Sequence, residues 1–268
     1  MGEDGSGRIR IGVGGWNYEP WRGGFYPKGL PHNRELEFAS RKLTSIEIDS
    51  TYYGSKTPET FARWRDAAPD DFVFAVKGSR FATNRRVLAE AGPSIERFFK
   101  SGVTELKGKL GPVNWQFAAT KRFDPDDFGA FLKLLPSSVD GLAIRHAVEV
   151  RNDSFRTAEF VALARTHGVA VVIAGDSRFP CIADLTASFV YARAMGTIEA
   201  EELGYAGDAL DAWANRARAW GKGGTASDLP LFGAPVADDA GRDVFLYVIS
   251  GFKALNPAAA MSLIERLR

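Results

Sequence analysis

Cysteine is nearly missing from this chain: Cys181 is the only one in 268 residues. A single thiol forms no intrachain disulfide and supplies none of the paired spacings of a zinc finger, and such usage fits the reducing cytoplasm, where we expect the protein to reside. Histidine is almost as scarce, with His32, His146 and His167 forming neither HxH nor HExxH. A transition-metal centre is therefore not indicated. There is no GxSxG elbow and no Walker loop, and the Gly-rich run IGVGGW (11–16) is not a GxGxxG fingerprint. Serine-nucleophile chemistry, nucleotide hydrolysis and a nicotinamide or flavin cofactor thus have no motif behind them. No apolar run reaches the ~18 residues of a membrane span, and the start MGEDGSGRIR has no hydrophobic signal region, so neither a membrane partner nor secretion is expected. Net charge is also nearly absent, at +1 from 34 Lys plus Arg against 33 Asp plus Glu. Whole-molecule attraction to nucleic acid or lipid is not indicated, although local patches remain open.

What the chain does contain is a repeated alternation. Eight apolar runs rich in Val, Ile and Phe read as strands: 8–14, 45–52, 72–77, 113–117, 146–151, 169–176, 188–194 and 244–250. Most are apolar on both faces, as in a covered parallel sheet. Helical patterns fall between them at 33–43, 58–68, 93–103, 124–136, 157–168, 208–220 and 256–268. Thr57 is a ready N-cap before Pro58 at the first helical position, and Gly168 reads as a helix stop. Only the sixth connection, 177–187, is too short for a helix. Eight strands alternating with helices predict an α/β fold, a single (β/α)8 TIM barrel over 9–268, with 1–8 as a flexible leader. An open doubly wound sheet is the runner-up. The segment 221–242, rich in Gly, Ala, Asp and Pro, is expected to be a mobile surface loop or a lid between strands seven and eight.

A barrel of this kind carries its chemistry where the strands end, at the C-terminal mouth. Charged residues gather at those ends. The run HAVEVRNDSF (146–155) sets Glu149 and Arg151 two apart, and side chains two apart on a strand share a face. Glu47 and Asp49 share a face in the same way, with Ile46 and Ile48 on the other. Lys77 and then Arg80 close strand three, Gln116 sits between aromatics in strand four, Asp176 ends strand six, Tyr191 and Arg193 lie in strand seven, and Ser250 ends strand eight. Any pair of these could be a structural salt bridge, but a core built from six or more ions gains little stability, so the group reads as a ligand site. Lys77, Arg80, Arg151 and Arg193 suit a phosphate or carboxylate. Glu47, Asp49, Glu149 and Asp176 suit proton transfer or a divalent cation such as Mg²⁺. The loop GGWNYEPWRGGFYP (14–27) brings Trp16 and Tyr18 to the mouth and Tyr52 follows strand two, a stacking wall for a sugar or base if these rings are not merely packing the loop.

These same stretches carry a resemblance. GGWNYEPWRGGFYPKGL, SIEIDSTYYGSKTPETFARW, FVFAVKGSRFATN, KLGPVNWQF, AVEVRNDSF and YARAMG are similar, in that order, to motifs of the YecE-like family, a domain of unknown function numbered seventy-two. The resemblance runs from about residue 9 to the C-terminus, implies a TIM barrel, and brings no established reaction. Glu47, Lys77, Arg80, Gln116, Glu149, Arg151, Asp176 and Arg193 match the family pattern. Asn84, the FAAT run after Gln116, Met195, Ile249 and Ser250 depart from it, which implies either a divergent member with another ligand or one that has lost activity.

We therefore expect a small anionic ligand, phosphorylated or carboxylated and including sugar derivatives. Lys77, Arg80, Arg151 and Arg193 would hold the anion, with Trp16, Tyr18, Tyr52, Gln116 and Ser250 around it. Glu149 or Glu47 would transfer the proton, and Asp49 and Asp176 would orient the ligand or hold a metal. Isomerase, lyase and hydrolase are not separable at this level, and neither is oligomeric state. A non-catalytic regulatory module is one alternative. Single-stranded nucleic-acid binding is another, carried by Arg80, Arg85, Arg86, Lys100, Lys107 and Lys109 interleaved with Phe81, Phe98 and Phe99.

Overall fold

The computed structural model describes residues 5–235 and 240–268. Residues 1–4 of the expected leader and 236–239 of the expected loop lie outside the described residues. The barrel strands are β1 (Ile9–Gly14), β2 (Ser45–Ile48), β3 (Val73–Lys77), β4 (Leu110–Gln116), β5 (His146–Glu149), β6 (Ala170–Val171 and Ile173–Gly175, continuous through Val172), β7 (Phe189–Ala194) and β8 (Asp243–Val248). All neighbours pair in parallel. The first half of β6 pairs with β5 and the second half with β7, while β1 pairs with β8 from Ile9↔Val244 to Val13↔Val248. The ring thus closes, and the open-sheet alternative is excluded.

Among the described residues seven helices of eight residues or more cover it: α1 (Glu35–Lys42), α2 (Pro58–Ala67), α3 (Gly92–Lys100), α4 (Pro125–Lys133), α5 (Ala158–Thr166), α6 (Gly207–Gly221) and α7 (Asn256–Leu267). Their starts are written in the sequence. Thr57 accepts a hydrogen bond from the Thr60 amide, Asp124 from the amides of Asp126 and Asp127, and Thr157 from that of Phe160. Each cap satisfies amides that the first helical turn leaves without partners.

Strand alternation divides the apolar residues into two cores. Outward-facing Val13, Ile46, Ile48, Phe74, Val76, Trp115, Val148, Val190 and Leu246 pack under the helices in one continuous cluster. Inward-facing Val73, Ala75, Ala147, Val172, Phe189, Tyr191, Phe245 and Tyr247 fill the barrel itself. From this floor upward the interior turns polar. Glu47, Lys77, Asn114, Gln116, Glu149 and Arg193 are all buried within it.

Two strands end sooner than their apolar runs suggest. β2 stops at Ile48 because a single helical turn, Ser50–Tyr53, follows directly; the Thr51 hydroxyl ties it down by donating to the Lys77 carbonyl at 2.7 Å. β5 stops at Glu149, so Arg151 stands in a loop rather than a strand. The expected leader is also less free than its composition suggests. Gly7 donates its amide to the Gly221 carbonyl at 2.9 Å, and Arg8 donates to Asp243 at 2.9 Å.

No helix separates β6 from β7, as the short connection implied. Two loops pack together there instead. The buried Asp184 carboxylate accepts from the amides of Phe232 and Gly233, both at 2.8 Å, and Ala183 donates to the Pro230 carbonyl at 3.0 Å. Arg165 of α5 reaches across to the Leu185 and Ala234 carbonyls. The described part of the Gly- and Ala-rich segment is therefore fastened to the barrel wall rather than projecting from it.

Candidate functional site

The strand ends converge on one buried ion network. Arg193 of β7 sits at its centre. Its Nη2 donates to Glu47 Oε1 at 2.8 Å and its Nη1 to Glu149 Oε2 at 2.5 Å, so one guanidinium bridges two carboxylates contributed by β2 and β5. Both carboxylates are wholly buried. Burial is the largest single influence on both and raises their pKa values, but Arg193 and its neighbours together outweigh it. With Lys77 and the Tyr191 hydroxyl, Arg193 holds Glu47 below the usual carboxylate range, and with Arg151 and Lys77 it draws Glu149 down to about 2. Tyr191 donates its hydroxyl to Glu47, and burial followed by that carboxylate keeps the phenol well above its ordinary value. Asn114, which the sequence hid between apolar neighbours, spans the pair, its Nδ2 at 3.3 Å from Glu47 Oε2 and 3.4 Å from Glu149 Oε2. Glu47 and Glu149 are thus fixed anions that shape the site. Nothing in their surroundings lets them carry a proton near neutrality.

Glu149 and Arg151 meet although only Glu149 lies in the strand. Arg151 leaves the strand but folds back, its Nε on Glu149 Oε1 at 2.7 Å and its Nη2 on Gln116 Oε1 at 2.9 Å. Gln116 Oε1 also accepts from Lys77 Nζ at 2.6 Å, so one amide oxygen holds two cations in place. The Arg151 guanidinium lies 4.3 Å from the centre of the Phe179 ring, a cation–π contact that fixes its plane. Tyr52 does the same for Lys77, with 4.9 Å between Nζ and the ring centre.

Asp49 differs from the other acids. It sits just past β2 with 35% of its side chain exposed, 3.6 Å from Lys77 Nζ. Burial pushes its carboxyl up, the neighbouring Glu47 adds to the rise, and Lys77 and Arg193 only partly oppose it, leaving it at about 6. Gly14 makes room for it, since a Cβ there would stand 2.8 Å from Asp49 Oδ2. Asp49 is thus poised to gain and lose a proton near neutral pH.

Two adjoining cavities open at this point and share Gly14, Asp49, Tyr53 and Lys253. One, of about 370 Å³, is charged and lined by Lys77, Gln116, Arg151, Arg193, Ser250 and Asn256 beyond the shared residues. The other, of about 460 Å³, has ring walls from Trp16, Tyr18 and Trp64 with Lys56 at its rim. Trp21 and Tyr26 of the same aromatic loop are instead buried core residues beside Phe25 and Phe38. The loop thus divides between packing and lining. Sequence reasoning passed over Lys253 and Asn256, which lie in or after the connection beyond β8. Lys253 Nζ sits 4.5 Å from the Tyr18 ring centre.

The remaining expected residues lie elsewhere. Asp176 adopts a left-handed backbone (φ 54°) and turns away from both cavities; its Oδ2 accepts from Trp213 Nε1 at 2.7 Å and Tyr205 at 3.0 Å. Arg80 lies beyond the mouth, stacked 5.7 Å from Tyr53 and 5.5 Å from Phe81. His146 is buried, bonded to Trp115 Nε1 and the Pro136 carbonyl, and burial depresses it to about 4, so it stays neutral. Among the described residues no three of His, Cys, Asp and Glu gather to hold a metal. Of the acids considered for Mg²⁺, Glu47, Asp49 and Glu149 are answered by Arg and Lys, and Asp176 by Trp213 and Tyr205. Among the described residues no helix is long and apolar enough to cross a membrane.

The two cavities are thus lined by Lys56, Lys77, Arg151, Arg193 and Lys253 with Asp49, and Glu47 and Glu149 stand behind Arg193, five cations against three carboxylates. Arg193 also keeps a buried Nε donor that no protein atom accepts from. Surplus positive charge and a spare buried donor are features that suit an anionic group.

Residues 10–268 match the family model described as "Protein of unknown function DUF72". The chain is 28% identical over 142 residues to the UPF0759 protein YecE of Escherichia coli K12, a match covering 52% of this chain and 48% of that protein. It thus spans about half the length of that curated relative. Two solved structures share the fold. A DUF72 family protein from Thermotoga maritima superposes with a TM-score of 0.75 at 19% identity, covering 97% of this chain and 99% of that one. A DUF72 family protein from Enterococcus faecalis gives 0.69 at 17% identity over 97% and 95%.

Proposed function

The chain belongs to the DUF72 family of proteins of unknown function, and from its own geometry we propose that it binds a small anionic sugar-like metabolite, phosphorylated or carboxylated, at the barrel mouth and acts on it by acid–base chemistry. The observation that carries this reading is Asp49: a carboxylate at about 6 that borders both the charged and the aromatic cavity. A ligand spanning the two places its anionic group against Lys77, Arg151 and Lys253 and its neutral body against Trp16 and Tyr18. Asp49 then stands at the join, where a proton beside the anionic group would be taken or returned. A group titrating near the working pH is the efficient one for that exchange. Glu47 and Glu149, held ionised by Arg193, keep the cationic side chains in position rather than taking part. Asp176 serves the wall rather than the ligand.

The test is calorimetric titration with sugar phosphates and sugar acids, each against its neutral sugar. Binding of the anionic member alone is expected, weakened in Arg151→Ala by about 10- to 150-fold, the worth of a hydrogen bond to a charged group. Equal binding of the neutral sugar, or unchanged affinity in the variant, would refute the reading. Turnover of the bound compound then separates an enzyme from a regulatory module that only binds.

A further inference from the structure

Beyond the mouth, the connections after β3 and β4 carry a second concentration of positive charge. A cavity of about 490 Å³ is lined by Arg80, Phe81, Asn84, Arg85, Pro93, Ser94 and Arg97, with no acid among them. It shares Asn84 and Arg85 with a neighbouring groove of about 630 Å³ that adds Arg86, Lys121 and Arg122. We propose that this continuous face binds the phosphodiester backbone of a single-stranded nucleic acid, with Arg80, Arg85 and Arg97 on successive phosphates and the rings of Phe81 and Tyr53 under its bases.

Three observations carry the proposal. First, these arginines lack the partners that solvated helix charges usually find. Lys100 on α3 pairs with Glu96 at 2.5 Å, whereas no carboxylate among the described residues pairs with Arg80, Arg85, Arg86 or Arg97. The two acids at the edge of the groove are already committed, Asp124 to the cap of α4 and Asp127 to the amides of Leu88 and Ala89 and to Lys121. Second, Arg85 Nε is buried with no acceptor, although its Nη2 reaches Ser94 Oγ at 3.1 Å. An unpaired buried donor on a cation costs stability, and an anion at this position removes that cost. Third, Phe81 is 61% and Tyr53 64% exposed, on either side of Arg80 and within cation–π distance of it. Exposed rings beside arginines are how proteins stack unpaired bases without reading their sequence. A free phosphate would use one arginine pocket and neither ring.

This face differs from the basic stripe the sequence suggested. Phe98 and Phe99 are core residues, and Lys109 spends its ammonium on the Arg65 and Ala68 carbonyls. Arg97, Lys121 and Arg122 take their place, brought in from α3 and from the loop after β4.

The test is fluorescence anisotropy with a labelled oligothymidylate of about ten nucleotides, near the site size of single-strand binders. Saturable binding at low salt is expected, and three phosphate contacts predict about a 10- to 20-fold loss between about 50 and about 200 mM salt. Arg97→Glu, on the exposed face of α3, and Arg85→Gln should each weaken it at least about fivefold while melting near the parent temperature. The proposal fails if no binding is seen at low salt, or if both variants bind like the parent. It also fails if inorganic phosphate or a mononucleotide competes at concentrations matching the oligonucleotide, which would mark a small-anion site, or if polyglutamate binds as tightly, which would mark an acidic protein partner.

Discussion

Replacing Arg193 by methionine, of similar length and without charge, strands both Glu47 and Glu149 in a wholly buried place. Removing one partner of a buried ion pair costs about 3–5 kcal/mol, because the other charge stays desolvated and unanswered. Here two carboxylates lose the same partner, so the cost should reach at least that range. For a chain near this size it corresponds to a fall in Tm of about 6–20 °C. The loss should also depend on pH. In the parent, Glu149 is held down at about 2, so its stabilising contribution is present above the ordinary carboxylate range and is lost only as pH falls toward 2. Without Arg193 both carboxyls rise above their unfolded values, and the variant regains stability as pH falls below neutral. The gap between parent and variant should therefore narrow on acidification. A triple variant, Arg193→Met with Glu47→Gln and Glu149→Gln, removes every stranded charge and should recover most of the loss. Urea denaturation of the parent, the three single variants and the triple variant at two pH values measures all of this. A cost below about 1 kcal/mol, or a triple variant that sums the single losses, would refute the account of a mutually compensating network.

Asp49 gives a complementary expectation. As its carboxyl ionises through about 6, a second negative charge appears beside Lys77, so affinity for an anionic ligand should fall as pH rises through that value. Asp49→Asn should abolish that dependence and any turnover while retaining binding; a pH titration of affinity that keeps its inflection in the variant would assign the proton elsewhere. Asp176→Ala should leave ligand affinity unchanged yet cost about 1–3 kcal/mol, the price of leaving Trp213 Nε1 and the Tyr205 hydroxyl without their acceptor. Lost affinity at parent stability would overturn its placement outside the site.

The barrel was legible in the sequence because its signal is periodic and local. Eight Val- and Ile-rich runs, capped helices between them and one gap too short for a helix each report their own structure. Strand alternation likewise placed Glu47 and Glu149 correctly on the inner face, and Arg151 still meets Glu149 although it has left the strand. What the sequence could not show is which acid holds a proton. That depends on Arg193 bonding two carboxylates 146 and 44 positions away, while Asp49 feels it only in part. Asp176 ends a strand as the others do, but a positive φ and two donors from the α6 side turn it aside, and no local pattern announces that. Lys253 was missed because it lies three residues past Ser250 in a loop, where the ring of Tyr18, rather than a strand, sets its position. Phe98 and Phe99 were misplaced because closeness to lysines along the chain says nothing about which helix face each occupies.

The Asp184 fastening also bears on how the molecule is made. Where other barrel strands are backed by a helix that forms from neighbouring residues, the wall between β6 and β7 is completed by a carboxylate that receives amides 48 and 49 positions later. Closing such a span costs loop entropy before any contact repays it. A chain emerging from synthesis therefore has α5 against β6 but lacks this fastening until β7, α6 and the segment through Gly233 have all appeared. Completion of this part of the wall is thus expected late in folding, after the residues on both sides of it have been made.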